Sequence, residues 1–120
     1  MSKVLLVDDN ISQLELMDSF LSQGGHTSVR ITDAKEAVKK ALEYKPDIIV
    51  TDVVMPGMSG FELCRRLKQN PGTVGIPIVI CSSKDQEIDR LWGMRQGAKA
   101  YLTKPFSQEE FLRTINLAMI

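Results

Sequence analysis

Short runs rich in β-branched residues alternate with helical patterns along this 120-residue chain. Between five strand-like runs, apolar residues recur at the three- and four-residue spacing of one helix face. Strict alternation of this kind predicts an α/β fold, in which helices cover both faces of a parallel sheet. The runs are almost continuously apolar, as strands buried on both sides are. The predicted strands are residues 3–7, 27–32, 47–51, 77–82 and 100–103.

Three of the predicted helices begin with a capping signal, and one helix carries an apolar stripe with two possible roles. Ser59–Glu62, Ser107–Glu110 and Asp33–Glu36 have the spacing of a capping box, in which side chains satisfy first-turn N–H groups. The fourth helix repeats an apolar stripe that we expect to face the core, made of Ile88, Leu91, Trp92 and the stem of Arg95. An exposed Trp92 would instead suit a partner contact, because Trp is enriched at binding hot spots.

Composition excludes several classes of protein. The chain has 15 basic and 15 acidic residues, so it lacks the basic face of a nucleic-acid binder. No apolar run reaches the ~18 residues of a membrane-spanning helix, and the N-terminus shows no signal peptide. Two cysteines, Cys64 and Cys81, do not make a disulfide framework, and their apolar surroundings predict burial. We expect one cytoplasmic domain over residues 1–120 that inserts into no membrane.

Polar or charged residues follow four of the predicted strands, at the point where each strand ends. In an open parallel sheet the carboxyl ends of the strands form one edge, and ligands bind outside it where the strand order reverses. We therefore expect these side chains to meet in one crevice. They are Asp8 with Asp9, Asp52, Ser82 and Lys104.

The charges at these strand ends predict a divalent cation. Three carboxylates in one crevice repel one another, because an ordinary carboxyl group has a pKa of about 3.9. Mg²⁺ takes oxygen ligands, and together with the Lys104 ammonium it balances the three negative charges. We expect Asp9 and Asp52 to bind Mg²⁺ directly and Asp8 directly or through water. The backbone carbonyl of Val54 is a plausible further ligand.

A carboxylate beside Mg²⁺ and an ammonium group can accept a phosphoryl group. Asp52 is the best acceptor because it stands alone at the end of the middle strand, and the product is an aspartyl phosphate. Phosphoryl transfer asks the protein mainly for positioning and charge stabilisation. Lys104 can pair with Asp52 at rest and with a phosphoryl oxygen afterwards, and Ser82 can donate its hydroxyl. Each residue alone could be a turn, cap or solvated residue, but together they require four coincidences at equivalent strand ends.

The whole chain resembles the receiver domain of bacterial two-component response regulators. The resemblance is carried by the segments VLLVDDN, IIVTDVVMPGMSGFEL, IPIVICSSKD and GAKAYLTKPF. It implies a flavodoxin-like, doubly wound sheet with strand order 2-1-3-4-5 and a cis peptide bond at Lys104–Pro105. It further implies phosphorylation at Asp52, an acidic metal pair at Asp8 and Asp9, a switch hydroxyl at Ser82, the family lysine at Lys104 and a switch aromatic residue at Tyr101.

The resemblance also implies how the switch works and which partners it has. Phosphorylated Asp52 would attract the Ser82 hydroxyl, and Tyr101 would rotate into the vacated space; otherwise Tyr101 is a strand residue with its hydroxyl in water. The phosphodonor is expected to be a partner histidine kinase, and the readout surface is the fourth helix, fifth strand and fifth helix. Val54 stands where the family tunes hydrolysis, and its apolar side chain predicts slow self-dephosphorylation.

Only the family resemblance indicates in which signalling pathway the protein acts. The stretch KDQEIDRLWGMRQGAKAYLTKPF is similar to receivers of the chemotaxis-like systems that govern type IV pilus twitching motility. We expect no segment after residue 120 that binds DNA or catalyses a reaction. We therefore expect output through protein–protein contact, or removal of phosphate from a shared kinase, and no enzymatic activity beyond the protein's own phosphorylation and dephosphorylation.

Three rival interpretations use the same residues. A haloacid-dehalogenase-type phosphohydrolase also has an Asp nucleophile, Mg²⁺, a hydroxyl and a Lys, but it needs a second Asp two residues later. Val54 follows Asp52 at that position and Asn10 follows Asp8, and there is no room for a cap domain. A flavodoxin-like electron carrier would need a phosphate-binding first loop, which Asp8 and Asp9 disfavour. A receiver used only for docking, without phosphorylation, is the third.

Overall fold

A computed structural model describes residues 2–120 of the chain, so Met1 of the expected domain range lies outside the described residues. The described residues form five strands, five α-helices and one short 3₁₀ turn at Ala34–Glu36. The strands are β1 (Lys3–Val7), β2 (Thr27–Ile31), β3 (Ile48–Thr51), β4 (Ile78–Ser82) and β5 (Ala100–Thr103). The helices are α1 (Ile11–Gln23), α2 (Ala37–Tyr44), α3 (Gly60–Gln69), α4 (Glu87–Arg95) and α5 (Gln108–Ala118).

The strands form one parallel sheet in the order β2-β1-β3-β4-β5, which confirms the expected flavodoxin-like topology. The strand order reverses between β1 and β3, which are hydrogen-bonded neighbours, with Val7 opposite Thr51. The residues that follow these two strands therefore emerge side by side. At the other edge, Ser82 at the end of β4 lies opposite Thr103 at the end of β5.

Alternate residues of each strand fill two separate cores, because successive side chains point to opposite faces of a sheet. On one face Leu5 belongs to a cluster that includes Leu63 of α3, with α2 beside it. On the other face Leu6 belongs to a cluster that includes Phe111 of α5, with α1 beside it. The four helices α1, α2, α3 and α5 are thus fixed by burial, and the sheet is covered on both faces.

The apolar stripe of α4 does not face the core, so this expectation is wrong. Ile88, Leu91 and Trp92 are 64%, 58% and 46% exposed. The buried residue of the helix is Gly93 instead. A Cβ atom at Gly93 would lie 2.9 Å from the Ile80 side chain, so the missing side chain lets α4 approach the sheet closely. The helix rests on that glycine, and its larger apolar residues turn toward solvent.

Two of the three capping signals are helix starts of the expected kind. The Ser59 hydroxyl accepts a hydrogen bond from the Glu62 N–H at the start of α3. Ser107 and Glu110 form a complete capping box at the start of α5. Asp33 caps the 3₁₀ turn that precedes α2. Within residues 2–120, none of the helices is long and apolar enough to cross a bilayer.

Both cysteines are buried, as their apolar surroundings predict. Burial raises the pKa of the Cys64 thiol to about 12, against a nearby Lys68 that lowers it. Burial likewise raises the pKa of Cys81 to about 12, and Lys104 opposes that rise. Both thiols are therefore protonated at neutral pH, which suits side chains that act as small apolar residues in the core.

Candidate functional site

The structure brings the three predicted carboxylates together at the carboxyl edge of the sheet. The Asp52 N–H donates to the Val7 carbonyl at 3.1 Å, which extends the β1–β3 ladder by one step and sets Asp52 beside Asp8. One carboxylate oxygen from each of Asp8, Asp9 and Asp52 lies within 4.8 Å of the others. Asp8 is buried, Asp52 is half-buried and Asp9 is exposed, so the group is open to solvent on one side.

Lys104 reaches this group from the far edge of the sheet. Its backbone N–H donates to the Ser82 carbonyl at 2.9 Å, which fixes the chain at the end of β5. The Lys104 Nζ lies 2.8 Å from Asp8 Oδ2 and 3.5 Å from Asp52 Oδ2. The ammonium therefore bridges two strand-end carboxylates, and it is itself largely shielded from water. The Lys104–Pro105 peptide bond is cis, as the family resemblance implies.

The other carboxylate oxygens of Asp8 and Asp52 accept hydrogen bonds from backbone N–H groups. Asp8 Oδ1 accepts from the Asn10 N–H at 2.9 Å, so both oxygens of this buried carboxylate are hydrogen-bonded. Asp52 Oδ1 accepts from the Val53 N–H at 2.7 Å. Buried polar groups need hydrogen-bond partners, and this network supplies them and fixes the orientation of the two side chains.

The start of α3 packs tightly under Asp52. The Gly60 N–H donates to the Val53 carbonyl at 2.8 Å. A Cβ atom at Gly60 would lie only 1.9 Å from the Asp52 carbonyl oxygen, so no larger residue fits without a backbone shift. The absence of a side chain at Gly60 thus lets the helix support the loop that follows Asp52.

Ser82 and Tyr101 lie next to each other beside the acidic group. Ser82 is buried, and its hydroxyl accepts from the Lys84 N–H at 3.2 Å. The Tyr101 hydroxyl donates to the Lys84 carbonyl at 2.6 Å and so does not point freely into water. Burial raises the pKa of Tyr101, while the Ser82 hydroxyl works in the opposite direction. The predicted switch residues therefore meet at one loop, the segment from Ser82 to Lys84.

The crevice outside the strand ends is lined by residues that the sequence reasoning singled out and by others that it missed. Asp9, Asp52, Val54 and Lys104 line it as expected, and Val54 is 59% exposed. The residues missed are Asn10, Gln13, Ser83 and Pro105. Asn10 caps α1 by accepting from the Gln13 N–H, a role that its place after the Asp pair could have signalled.

The donor set fits a hard divalent cation. Carboxylate oxygens are the ligands that Mg²⁺ prefers, and here three of them lie within mutual reach of one ion. Lys104 offsets only part of their charge, because one ammonium faces three carboxylates. The exposed position of Asp9 leaves room for the water and phosphate oxygens that Mg²⁺ keeps around it.

Comparisons with known proteins agree with this geometry. Residues 4–116 match the model of the response regulator receiver domain. The chain is 40% identical over 119 residues to Protein PilH of Pseudomonas aeruginosa, an alignment that covers 99% of this chain and 98% of PilH. It is 41% identical over 108 residues to the alkaline phosphatase synthesis transcriptional regulatory protein PhoP of Bacillus subtilis, which covers 90% of this chain but only 44% of that longer protein.

A solved structure extends the likeness to three dimensions. The Vibrio cholerae chemotaxis protein CheY4 superimposes with a TM-score of 0.92, at 32% identity and 98% coverage of both chains. The likeness extends over nearly the whole fold of both chains. The chain therefore belongs to the response regulator receiver domain family.

Proposed function

We propose that residues 1–120 act as one phosphorylation-dependent signalling switch, with Asp52 as the phosphoryl acceptor. The observation that carries the proposal is the Lys104 ammonium, which lies 2.8 Å from Asp8 and 3.5 Å from Asp52. A cation between an acceptor and a second carboxylate is the arrangement that phosphoryl transfer requires, because negative charge must be balanced as the groups approach.

Mg²⁺ is the cofactor of the proposed reaction. Asp8, Asp9 and Asp52 would hold it through their carboxylates, and the Val54 backbone carbonyl is the further ligand inferred from the sequence. When bound, Mg²⁺ neutralises the carboxylates and offsets charge on the phosphoryl oxygens. The fit rests on the donor chemistry, since three oxygen ligands of the right type lie within 4.8 Å of one another.

The chain's own residues perform the remaining steps. A carboxylate oxygen of Asp52 attacks the phosphorus atom of a phosphohistidine, the P–N bond breaks, and the bonding pair leaves with the imidazole. Lys104 then pairs with a phosphoryl oxygen. The Ser82 hydroxyl donates to another, which draws the Ser82–Lys84 segment and the Tyr101 hydroxyl bonded to it toward Asp52. This movement is the proposed switch.

The partners of the proposed switch are proteins. A partner histidine kinase supplies the phosphoryl group to this protein in the cytoplasm, and the surface of α4, β5 and α5 contacts the downstream target. The resemblance of the α4–β5 stretch to twitching-motility receivers suggests motility as the pathway. The proposed role is signalling rather than turnover, so catalysis is confined to phosphorylation and dephosphorylation of Asp52.

Incubation with acetyl phosphate and Mg²⁺ followed by intact-mass measurement tests the proposal. The wild type should gain the mass of one phosphoryl group, and Asp52→Asn should gain none. Asp47→Asn is the matched control, because Asp47 precedes the same strand at its opposite end and lies in contact with Lys3. A gain of mass in Asp52→Asn, or none in the wild type with Mg²⁺, would refute Asp52 as acceptor.

The lifetime of the phosphoryl group depends on Val54. Its exposed apolar side chain lines the crevice and cannot hydrogen-bond an attacking water. We expect slow loss of phosphate in the wild type and faster loss in Val54→Asn, measured by intact mass after removal of the donor. Equal rates in the two proteins would contradict this role.

An assay with a chromogenic phosphate monoester separates the switch from the phosphohydrolase alternative. That enzyme class needs an acid/base Asp where this chain has Val54. Sustained release of the chromophore, lost in Asp52→Asn, would favour the enzyme over the switch.

A further inference from the structure

The Tyr101 ring occupies a niche beneath α4. Its hydroxyl donates to the Lys84 carbonyl, and a Cβ atom at Gly93 would lie 3.1 Å from its Cδ2 atom. We call this arrangement, with the hydroxyl on Lys84 and the ring against Gly93, the tucked position. The ring can adopt it because Gly93 has no side chain to fill the niche.

Arg90, one turn before Gly93 on α4, touches β5 in three ways. Its guanidinium carbon lies 5.5 Å from the centre of the Tyr101 ring. One terminal nitrogen donates to the Tyr101 carbonyl at 3.3 Å, and the other donates to Thr103 Oγ1 at 2.7 Å. β5 is an edge strand, so its outer backbone groups lack a neighbouring strand, and Arg90 supplies a donor to one of them.

These three contacts fix the guanidinium on the outside of the Tyr101 ring. The two hydrogen bonds set the plane of the guanidinium group, and the ring is in contact with that group as well as with the helix at Gly93. The guanidinium group of arginine is planar and has several N–H donors in fixed directions, so it can hold such a geometry. The ammonium group of lysine is a single point charge. For Tyr101 to leave the niche, its ring must lose the contact with the Arg90 guanidinium.

We propose that Arg90 is a positioning residue that holds Tyr101 in the tucked position. Because the Tyr101 hydroxyl is bonded to the loop that carries Ser82, Arg90 also favours the loop arrangement that receives the phosphoryl group. This second effect rests on the function proposed above. Arg90 therefore raises the reactivity of Asp52 without touching the reacting atoms.

Fluorine NMR tests the first effect without phosphoryl chemistry. In a Tyr44→Phe background, 3-fluorotyrosine labels only Tyr101, since the chain has two tyrosines. Arg90→Ala should move the Tyr101 signal toward that of an exposed tyrosine. Arg90→Lys should restore the tucked signal only in part, and Thr103→Val, which removes one anchor of the guanidinium, should shift it less than Arg90→Ala. Arg95→Ala, an exposed arginine on the same helix, is the control.

Phosphorylation by acetyl phosphate tests the second effect on the same variants. Arg90→Ala should react about two- to fivefold more slowly than Arg95→Ala, a size typical of one exposed cation–π contact. An unchanged Tyr101 signal in Arg90→Ala overturns the proposal, and so does a shifted signal with an unchanged rate. If the wild type is not phosphorylated either, the proposed function fails, and the NMR signal alone decides whether Arg90 positions Tyr101.

Discussion

Helices α4 and α5 flank the same edge strand, β5, and both carry an apolar stripe at helical spacing, but they use it in opposite ways. In α5 the stripe of Phe111, Ile115 and Ala118 is fully buried against the sheet. In α4 Leu91 and Trp92 are about half exposed, and the helix contacts the sheet through Gly93. The spacing of apolar residues predicts that a helix forms, but the way in which the helix packs on the sheet decides whether the stripe is buried.

The largest difference between the two helices should appear when an aromatic residue of α5 is truncated. Phe111 is fully buried and stacks on Phe106 at a centroid distance of 5.1 Å. Phe111→Ala should lower the free energy of unfolding by about 3–5 kcal/mol, because it removes apolar contacts and leaves a cavity. Urea denaturation followed by circular dichroism measures the change. A loss below about 1 kcal/mol would mean that α5 is not packed as described.

A second difference concerns the glycines at which α3 and α4 make their close contacts, Gly60 and Gly93. Gly60→Ala puts a Cβ atom against the backbone of Asp52, which cannot swing away, and should cost about 1–3 kcal/mol or more. Gly93→Ala meets side-chain atoms of Ile80 and Tyr101 rather than backbone, and alanine favours helix by about 1 kcal/mol over glycine. We therefore expect the second change to cost less than Gly60→Ala in urea denaturation. Equal losses would show that both helices rest on the sheet in the same way.

The buried face of α3 should also make stability depend on pH. The Cys64 thiol has its pKa raised by burial from 9.0 to about 12. A raised folded-state pKa gives stability that is complete below pH 9 and is lost as the pH rises toward 12. The free energy of unfolding should fall by up to about 1.4 kcal/mol per pH unit in that range for this thiol.

Cys64→Val removes this group and tests that pH dependence. Urea denaturation at pH 8 and pH 10 should show a smaller decrease for the variant than for the wild type. Other alkaline groups contribute equally to both proteins, so the difference between their slopes isolates Cys64. Identical slopes would contradict a buried thiol on α3.

The smallest effect is expected on the exposed stripe of α4. Trp92→Ala should change the free energy of unfolding by no more than about 0.5 kcal/mol, because the side chain is 46% exposed. The same urea titration measures it. A loss comparable to that of Phe111→Ala would show that α4 buries its stripe after all.

The fold could be predicted from the sequence because the spacing of the apolar residues reflects which side chains are buried. The bounds of β1 and β5 agree with the predicted runs, and the other three strands are each shorter by one residue at an end. Strand ends in a parallel sheet must share one edge, so the meeting of Asp8, Asp52 and Lys104 followed from topology. The same argument could not assign distances, because these depend on the register between β1 and β3 and on the side-chain path of Lys104.

Residues that act through backbone contacts were beyond the sequence reasoning. Arg90 looks like an ordinary solvated residue, and only the fold shows that it reaches two residues of β5. Gly93 carries no chemical signal either, since its effect is the space that it leaves for Tyr101. The exposed stripe of α4 was mispredicted because periodicity records one face of a helix without stating what covers it.

The ion pair between Asp8 and Lys104 joins residues that are 96 positions apart in the chain. Closing so long a loop depends on every strand between them, since β1 and β5 are separated in the sheet by β3 and β4. During synthesis the carboxylates of Asp8 and Asp52 emerge from the ribosome well before Lys104 does. A nascent or truncated chain thus presents aspartates without their counter-charge, and the ion pair forms only once the last strand is in place.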